Sequence, residues 1–251
     1  FAIIFCLFFM NSNSFGLDIE QLRFNVLDIK NGLSQNSVYH IFQDSKGYMW
    51  FCTDEGLNRY DGYSFLKYDK QLDNKNSLVS NFTSCIVESS PGIFWIGTEK
   101  GFSVYFFETK KFLNVESPAQ IKKLVVEDST SVLIQTPYSL YKARLVEIKE
   151  KEYTIQLEPM NAYREVICKA DKNHIYLGGR DNHLYSYDVH TKLIQLKSES
   201  TIWKKIIQQK INGITKDKFS NYWIATNTGL YKMDSTFESI DSFPAQRKII
   251  A

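Results

Sequence analysis

The sequence has little proline, five residues in 251, and almost no surplus of charge, with 30 Lys and Arg against 28 Asp and Glu. Its basic residues occur as scattered pairs such as Lys110-Lys111, Lys122-Lys123 and Lys204-Lys205. Phosphate neutralisation needs clustered cations, so a nucleic-acid surface is excluded. The longest unbroken apolar run, Phe1 to Met10, has ten residues, half of the roughly 20 that cross a bilayer. With 43% hydrophobic and 23% charged residues, the balance is that of a globular chain, and neither disorder nor a polytopic membrane protein fits it. Aromatic residues are abundant at 15%, which together with the scarce proline favours strands over helices.

Signatures of catalysis and of metal binding are also missing. The histidines at 40, 174, 183 and 190 have no ligand spacing, and outside the apolar start Cys52, Cys85 and Cys168 each sit in an apolar run as small core residues. There is no Gly-x-Ser-x-Gly elbow and no phosphate loop. Neither a metal nor a cofactor is expected. The adjacent carboxylates Asp54-Glu55 suggest a glycosidase pair, but neighbours in a strand-end turn point apart, and they read as a solvated loop.

The first ten residues read as the apolar region of a secretory signal, with Ser14-Phe15-Gly16 supplying the small residues of a cleavage site. Residues 1–16 are therefore expected to be a signal peptide whose start is truncated, since no initiating Met precedes Phe1. The alternative is a buried N-terminal strand. Cys6 is a poor lipid acceptor because Ile4-Phe5 before it are bulky.

What the chain does contain is a repeat. Gly47-Tyr48-Met49-Trp50-Phe51-Cys52-Thr53-Asp54-Glu55-Gly56-Leu57 recurs as Gly92-Ile93-Phe94-Trp95-Ile96-Gly97-Thr98-Glu99-Lys100-Gly101-Phe102, and again as Tyr222-Trp223-Ile224-Ala225-Thr226-Asn227-Thr228-Gly229-Leu230. Thr follows Trp by three and Gly follows it by six. Two weaker copies centre on Leu133 and Tyr176, so that the anchors at 50, 95, 133, 176 and 223 are spaced 45, 38, 43 and 47 apart. This is the period of a four-stranded propeller blade. In the first unit Val38 to Gln43, Tyr48 to Thr53, Gly56 to Tyr60 and Tyr63 to Tyr68 parse as strands separated by turn residues. The fold expected is an all-β propeller of four-stranded blades, with Trp50, Trp95 and Trp223 packing between blades and Gly56, Gly101 and Gly229 as turn anchors. Leu17 to Ala251 holds about five blades at roughly 43 residues each. The ring is accordingly expected to be incomplete, with an exposed edge prone to aggregation or proteolysis and with Leu22 to Asp28 as its closing strand. Asp44-Ser45-Lys46-Gly47 is similar to the Asp-box turn of sialidase propellers and reads as structural.

The recurring Trp, Thr and Gly-Leu, with Leu33-Ser34-Gln35-Asn36 and Leu78-Val79-Ser80-Asn81 ahead of the first two units, resembles the two-component-regulator propeller repeat of the periplasmic sensor region of Bacteroidetes hybrid two-component systems. Phe24-Asn25-Val26-Leu27-Asp28 followed by Gly32-Leu33-Ser34-Gln35-Asn36 is similar to the mature start of such sensors. The resemblance implies that residues 17–251 are the N-terminal part of a sensor domain. The complete protein would then carry two seven-bladed propellers, a β-sandwich, one C-terminal transmembrane helix, and cytoplasmic histidine-kinase and response-regulator parts. It also implies a periplasmic location, a homodimer and an oligosaccharide ligand from polysaccharide breakdown. The competing reading is a secreted propeller lectin or polysaccharide-processing enzyme, since propellers host many functions; a third keeps the sensor but gives it another output.

In a propeller whose first strand is innermost, the loops between blades and those between second and third strands share one face. That face would carry Gln35, Asn36, Asp54, Glu55, Asn81, Glu99, Lys100, Arg180, Asp181 and Asn227, planar polar groups suited to sugar hydroxyls. Arg180-Asp181-Asn182 is the densest group. Taken singly, each position reads first as a solvated turn residue.

Overall fold

The structure is a computed structural model that describes residues 26–160, 164–169, 171–179, 184–196, 211–234 and 240–244. Among the described residues twenty strands form five antiparallel sheets of four. The first blade comprises β1 (Val38–Gln43), β2 (Met49–Thr53), β3 (Gly56–Tyr60) and β4 (Phe65–Tyr68), and the second β5 (Thr83–Ser90), β6 (Ile93–Thr98), β7 (Gly101–Phe106) and β8 (Lys111–Glu116). The third has β9 (Lys123–Val126), β10 (Ser131–Gln135), β11 (Leu140–Lys149) and β12 (Glu152–Met160). The fourth has β13 (Arg164–Lys169), β14 (His174–Gly179), β15 (Leu184–Asp188) and β16 (Ile194–Leu196), and the fifth β17 (Ile211–Lys216), β18 (Tyr222–Thr226), β19 (Gly229–Met233) and β20 (Ile240–Pro244). All five anchors lie in second strands, as expected. First strands of successive blades lie side by side, β1 by β5, β5 by β9, β9 by β13 and β13 by β17. The result is a β-propeller whose ring is not closed by hydrogen bonds: among the described residues no ladder joins the fifth blade to the first.

A four-stranded sheet cannot cover its own faces, and the anchors show how the blades solve this. Trp50 is fully buried and meets Phe94 and Tyr105 of the second blade at ring distances of 4.8 and 6.3 Å. Trp95, also fully buried, packs with Leu124, Val132 and Ile134 of the third. Leu133 packs with Ile175, Leu177 and Tyr187 of the fourth, and Tyr176 with Tyr222 and Ile224 of the fifth. Each anchor thus faces the blade that follows it. Trp223, in the fifth blade, is half-buried and stacks on Phe243 of its own sheet at 5.9 Å.

An indole buried this way must find an acceptor for its N–H. The residue six positions before the Trp provides it. Trp50 Nε1 donates to Asp44 Oδ2 at 2.8 Å, Trp223 Nε1 to Asp217 Oδ2 at 2.9 Å, and Trp95 Nε1 to Ser89 Oγ at 3.0 Å. The other oxygen of each Asp holds the turn: Asp44 Oδ1 accepts from the backbone of Lys46 and Tyr48, and Asp217 Oδ1 from that of Phe219 and Asn221. The side-chain bond from Asn221 and the indole bond draw the Asp217 carboxyl down to about 2. The Asp44 turn is therefore structural, as read.

The third blade breaks this pattern instructively. Its anchor is Leu133, which has no N–H, and six positions earlier stands Glu127. Released from an indole, this fully buried carboxylate accepts from Ser131 Oγ (2.9 Å) and Lys142 Nζ (2.8 Å) of its own blade. It also reaches the fourth blade, accepting from Tyr187 Oη at 2.6 Å and from Lys192 Nζ. Lys169 Nζ binds the Glu127 carbonyl at 3.1 Å, and Asp128 adds a second negative charge beside Lys192. Burial pushes the Glu127 carboxyl up, but the bonds from Lys142, Lys192, Tyr187 and Ser131 outweigh it and leave it below the usual glutamate range. The third blade also has the longest strands: β11 and β12, of ten and nine residues, form a hairpin that leans onto the second blade. There Tyr153 stacks on Phe106 at 4.9 Å.

Three expectations need correction or placement. The fourth strand begins at Phe65, not Tyr63, because Asp61 Oδ1 accepts the backbone N–H of both Tyr63 and Ser64 and holds them in the turn. Of the strand expected at Leu22 to Asp28, only 26–28 is described, and it is not strand. Asp28 and Asn31 exchange side-chain bonds across a 3-10 turn at Ile29–Asn31, which diverts the backbone from a ladder. The expected signal peptide at 1–16 lies outside the described residues. No helix among the described residues is long and apolar enough to cross a membrane.

Removing one partner of a buried pair leaves an uncompensated charge at a cost of about 3–5 kcal/mol. Glu127→Gln should therefore destabilise the protein by about 3 kcal/mol in urea melts. Because the folded carboxyl titrates below its unfolded value, the wild-type advantage over the variant should be full at neutral pH. It should shrink as the pH falls through and below the ordinary glutamate range. An advantage that stayed constant with pH would show that Glu127 acts by shape alone.

Candidate functional site

The face carrying the turns between second and third strands is built by the repeated threonine. Thr53, Thr98 and Thr226 donate through Oγ1 to the carbonyls of Gly56, Gly101 and Gly229 at 2.8, 2.8 and 2.9 Å, and Thr136 does the same to Ser139 at 3.1 Å. The same oxygens accept backbone N–H groups from within the turn, those of Glu55, Lys100 and Thr228 among them. Glycine is required at the end of two of these turns. Gly56 and Gly101 have φ of +105° and +114°, and a Cβ there would lie 2.3 Å from the Tyr68 carbonyl oxygen and 2.1 Å from that of Val115. The outer strands β4 and β8 thus pass directly over the turns. The segment after β8 is held close, with Ser117 N–H donating to the Lys100 carbonyl at 3.1 Å.

On this platform the residues expected to recognise a ligand have unequal roles. Gln35 and Asn36 are spent on the loop itself, accepting the backbone N–H of Ser37 and Ile29 at 2.8 and 3.1 Å. Asn81 is also a positioning residue: its carbonyl accepts from Gly56 N–H, and its Oδ1 accepts from Lys70 N–H at 2.6 Å. Glu99 accepts from Ser80 Oγ at 2.9 Å. Asp54 accepts from Tyr39 Oη at 2.9 Å, and that bond raises the Tyr39 phenol above its ordinary value. Glu55, Lys100 and Asn227 are exposed. Arg180 and Asp181 lie outside the described residues.

Residues absent from the expected set also belong to this face. Tyr39 and Phe82 pack ring to ring at 4.9 Å beside Asp54, giving an apolar surface next to a carboxylate. Tyr39 is half exposed because it is the extra residue of a bulge in β1, between the paired positions Val38 and His40. Corresponding bulges occur in β5 and β17, and β13 has one nearer its centre, opposite Tyr176 and Leu177; bulges of this kind re-aim side chains near binding sites. Lys70 and Glu116 join Lys100, Val79, Ser117 and Pro118 around a cleft of about 540 Å³ between the linkers that enter the second and third blades. Lys70 was legible in principle, since the linker after a fourth strand begins on the face where it ends.

Residues 32–55, running from Gly32 through β1, the Asp44 turn and Thr53, match the family model described as "Two component regulator propeller". Over these residues the chain is similar to the two-component regulator propeller repeat. The extracellular domain described as that of hybrid two component system BT3049 from B. thetaiotaomicron superposes with a TM-score of 0.59 at 23% identity, over 88% of this chain and 32% of that one. That of BT4673 from the same organism gives 0.60 at 20% identity, over 84% and 28%. An ancestral GH74 enzyme gives 0.55 at 12% identity, over 82% and 31%. These likenesses establish the propeller fold, and the chain spans about a third of the length of each of these three structures. No curated protein matches it.

Because the turn geometry at Gly101 admits no side chain, Gly101→Ala should destabilise the protein by at least about 2 kcal/mol, the left-handed φ and the clash with Val115 acting together. Gly47→Ala is the comparison: it also has positive φ, 88°, but an added Cβ there meets nothing within 4 Å. It should cost about 1 kcal/mol. Equal losses in denaturant melts would show that the close passage of β8 over the turn is not a constraint.

Proposed function

We propose that this propeller is the extracytoplasmic ligand-sensing part of a hybrid two-component system and that it responds to an oligosaccharide released from a polysaccharide. The observation that carries the reading is the match of residues 32–55 to the two-component regulator propeller. Two structural relatives described as extracellular domains of such systems support it. On this reading the chain is exported to the periplasm and followed by a membrane helix and a histidine kinase, and it works as a homodimer. The propeller itself binds and does not catalyse.

Sugar binding suits the face built on the threonine clamps. Tyr39 and Phe82 offer ring surface to the C–H face of a pyranose, and Asp54, Glu55 and Asn227 offer acceptors and donors to its hydroxyls. Arg180 and Asp181, outside the described residues, join the proposed binding set by their place in sequence between β14 and β15. Signalling would then follow from differential binding to two arrangements of the dimer, the only way a ligand shifts an equilibrium.

The test uses the complete membrane protein in vesicles, with kinase autophosphorylation measured against a panel of oligosaccharides from plant and host polysaccharides. At least one should change the rate. The response should weaken about tenfold or more in Tyr39→Ala, and in Arg180→Ala with Asp181→Ala, without a change in melting temperature. Hydrolysis of a panel member by the propeller, with no effect on phosphorylation, would overturn the sensing reading in favour of a polysaccharide-processing enzyme.

A further inference from the structure

We infer that the cleft between Lys70 and Lys100 binds an acidic oligosaccharide, one bearing carboxylate or sulfate groups; the inference rests on the sensing function proposed above and specifies its ligand. The cleft, about 540 Å³, is within the range of roughly 300–1,000 Å³ typical of small-molecule sites. Its charged lining is Lys70, Lys100 and Glu116. Neither ammonium group is in an ion pair or side-chain hydrogen bond among the described residues, and the same holds for the Glu116 carboxylate. Elsewhere lysines near carboxylates pair with them, as Lys67 does with Asp69 and Lys151 with Glu108. Two cations against one anion therefore leave a positive site open to a ligand anion.

The backbone under these side chains is fixed, so the site is preorganised. Lys70 is held by its N–H bond to Asn81 Oδ1 at 2.6 Å, and Lys100 by the bond from Ser117 N–H to its carbonyl at 3.1 Å. Gly101 permits that approach, since a Cβ would lie 2.8 Å from Ser117 N. Buried Val79, its N–H bound to Ser103 Oγ at 3.1 Å, and Pro118 give an apolar floor. An apolar floor, one hydroxyl acceptor in Glu116 and two ammonium donors match the ring face, hydroxyls and anionic substituent of an acidic sugar. Among the described residues no aromatic ring lines this cleft. A second cavity of about 560 Å³ shares Lys70, Val79 and Glu116 and continues along β8 under the linker. The two together accommodate a short chain of sugars.

The experiment is calorimetric titration of the complete sensor with four trisaccharides: galacturonate, glucuronate, a sulfated galactose oligomer and its neutral galactose counterpart. At least one acidic probe should bind, and which one distinguishes carboxylate from sulfate. Its affinity should fall about tenfold or more in Lys70→Ala with Lys100→Ala, and also when salt is raised from about 0.05 to about 0.5 M, with the melting temperature unchanged. Lys70→Gln with Lys100→Gln repeats the test if the alanine protein melts early. Neutral and acidic probes binding equally, with no effect of the lysines or of salt, would overturn the inference and leave sugar sensing intact. Binding of no saccharide by a folded, kinase-competent protein would overturn both.

Discussion

A single four-stranded antiparallel sheet has two apolar faces and no means of covering either, and every other feature of the molecule follows from how that deficit is met. In the first four blades the side chain at the centre of the second strand is given to the next blade, where aliphatic and aromatic residues close around it. Burying a Trp this way is worth several times a typical hydrogen bond: truncation of such a residue costs about 3–5 kcal/mol, against about 1 kcal/mol net for a neutral bond. The polar devices on Trp50, Trp95 and Trp223 therefore orient the indoles more than they hold the blades together. Packing supplies the energy, and Asp44, Ser89 and Asp217 supply the register.

The period and the anchors were readable because the physics repeats. A Trp three residues before a Thr and six before a Gly encodes a buried strand centre, a side-chain clamp and a turn that tolerates no Cβ, all within seven residues. Even the degenerate unit at Leu133 keeps the clamp through Thr136. What could not be read is what depends on residues distant in sequence. Glu127 is unremarkable in the chain, since its partners Tyr187 and Lys192 are 60 and 65 residues away. Residues 26–28 look extended by composition, yet Asp28 and Asn31 prefer each other to a neighbouring strand.

The candidate site was legible to a lesser degree. Placing the second-to-third-strand turns and the blade linkers on one face was correct topology, because β1 runs antiparallel to β2 and begins where β2 ends. Within that face, however, choosing planar polar residues favoured those that hold the loops. Gln35, Asn36 and Asn81 bind backbone, which short amide side chains do readily in turns. Besides the exposed Glu55 and Asn227, the groups placed to meet a ligand are longer or aromatic: Lys70, Lys100, Glu116, Tyr39 and Phe82. A bulge, which no local pattern announces, brings Tyr39 into view.

For the anchors at 50, 95, 133 and 176, anchor and receiving pocket belong to different blades, the anchor to the earlier and the pocket to the later. The interface, more than the blade, is therefore the exchangeable unit of this architecture. Transplanting one blade from a relative would disrupt two fits, its own anchor in a foreign pocket and a foreign anchor in its own. Transplanting the back half of one blade with the front half of the next would keep both. At the boundary between the third and fourth blades the fit also includes a fully buried carboxylate, which Tyr187 and Lys192 of the fourth blade help to satisfy. A neighbour lacking both would leave Glu127 with only the partners of its own blade, Lys142 and Ser131.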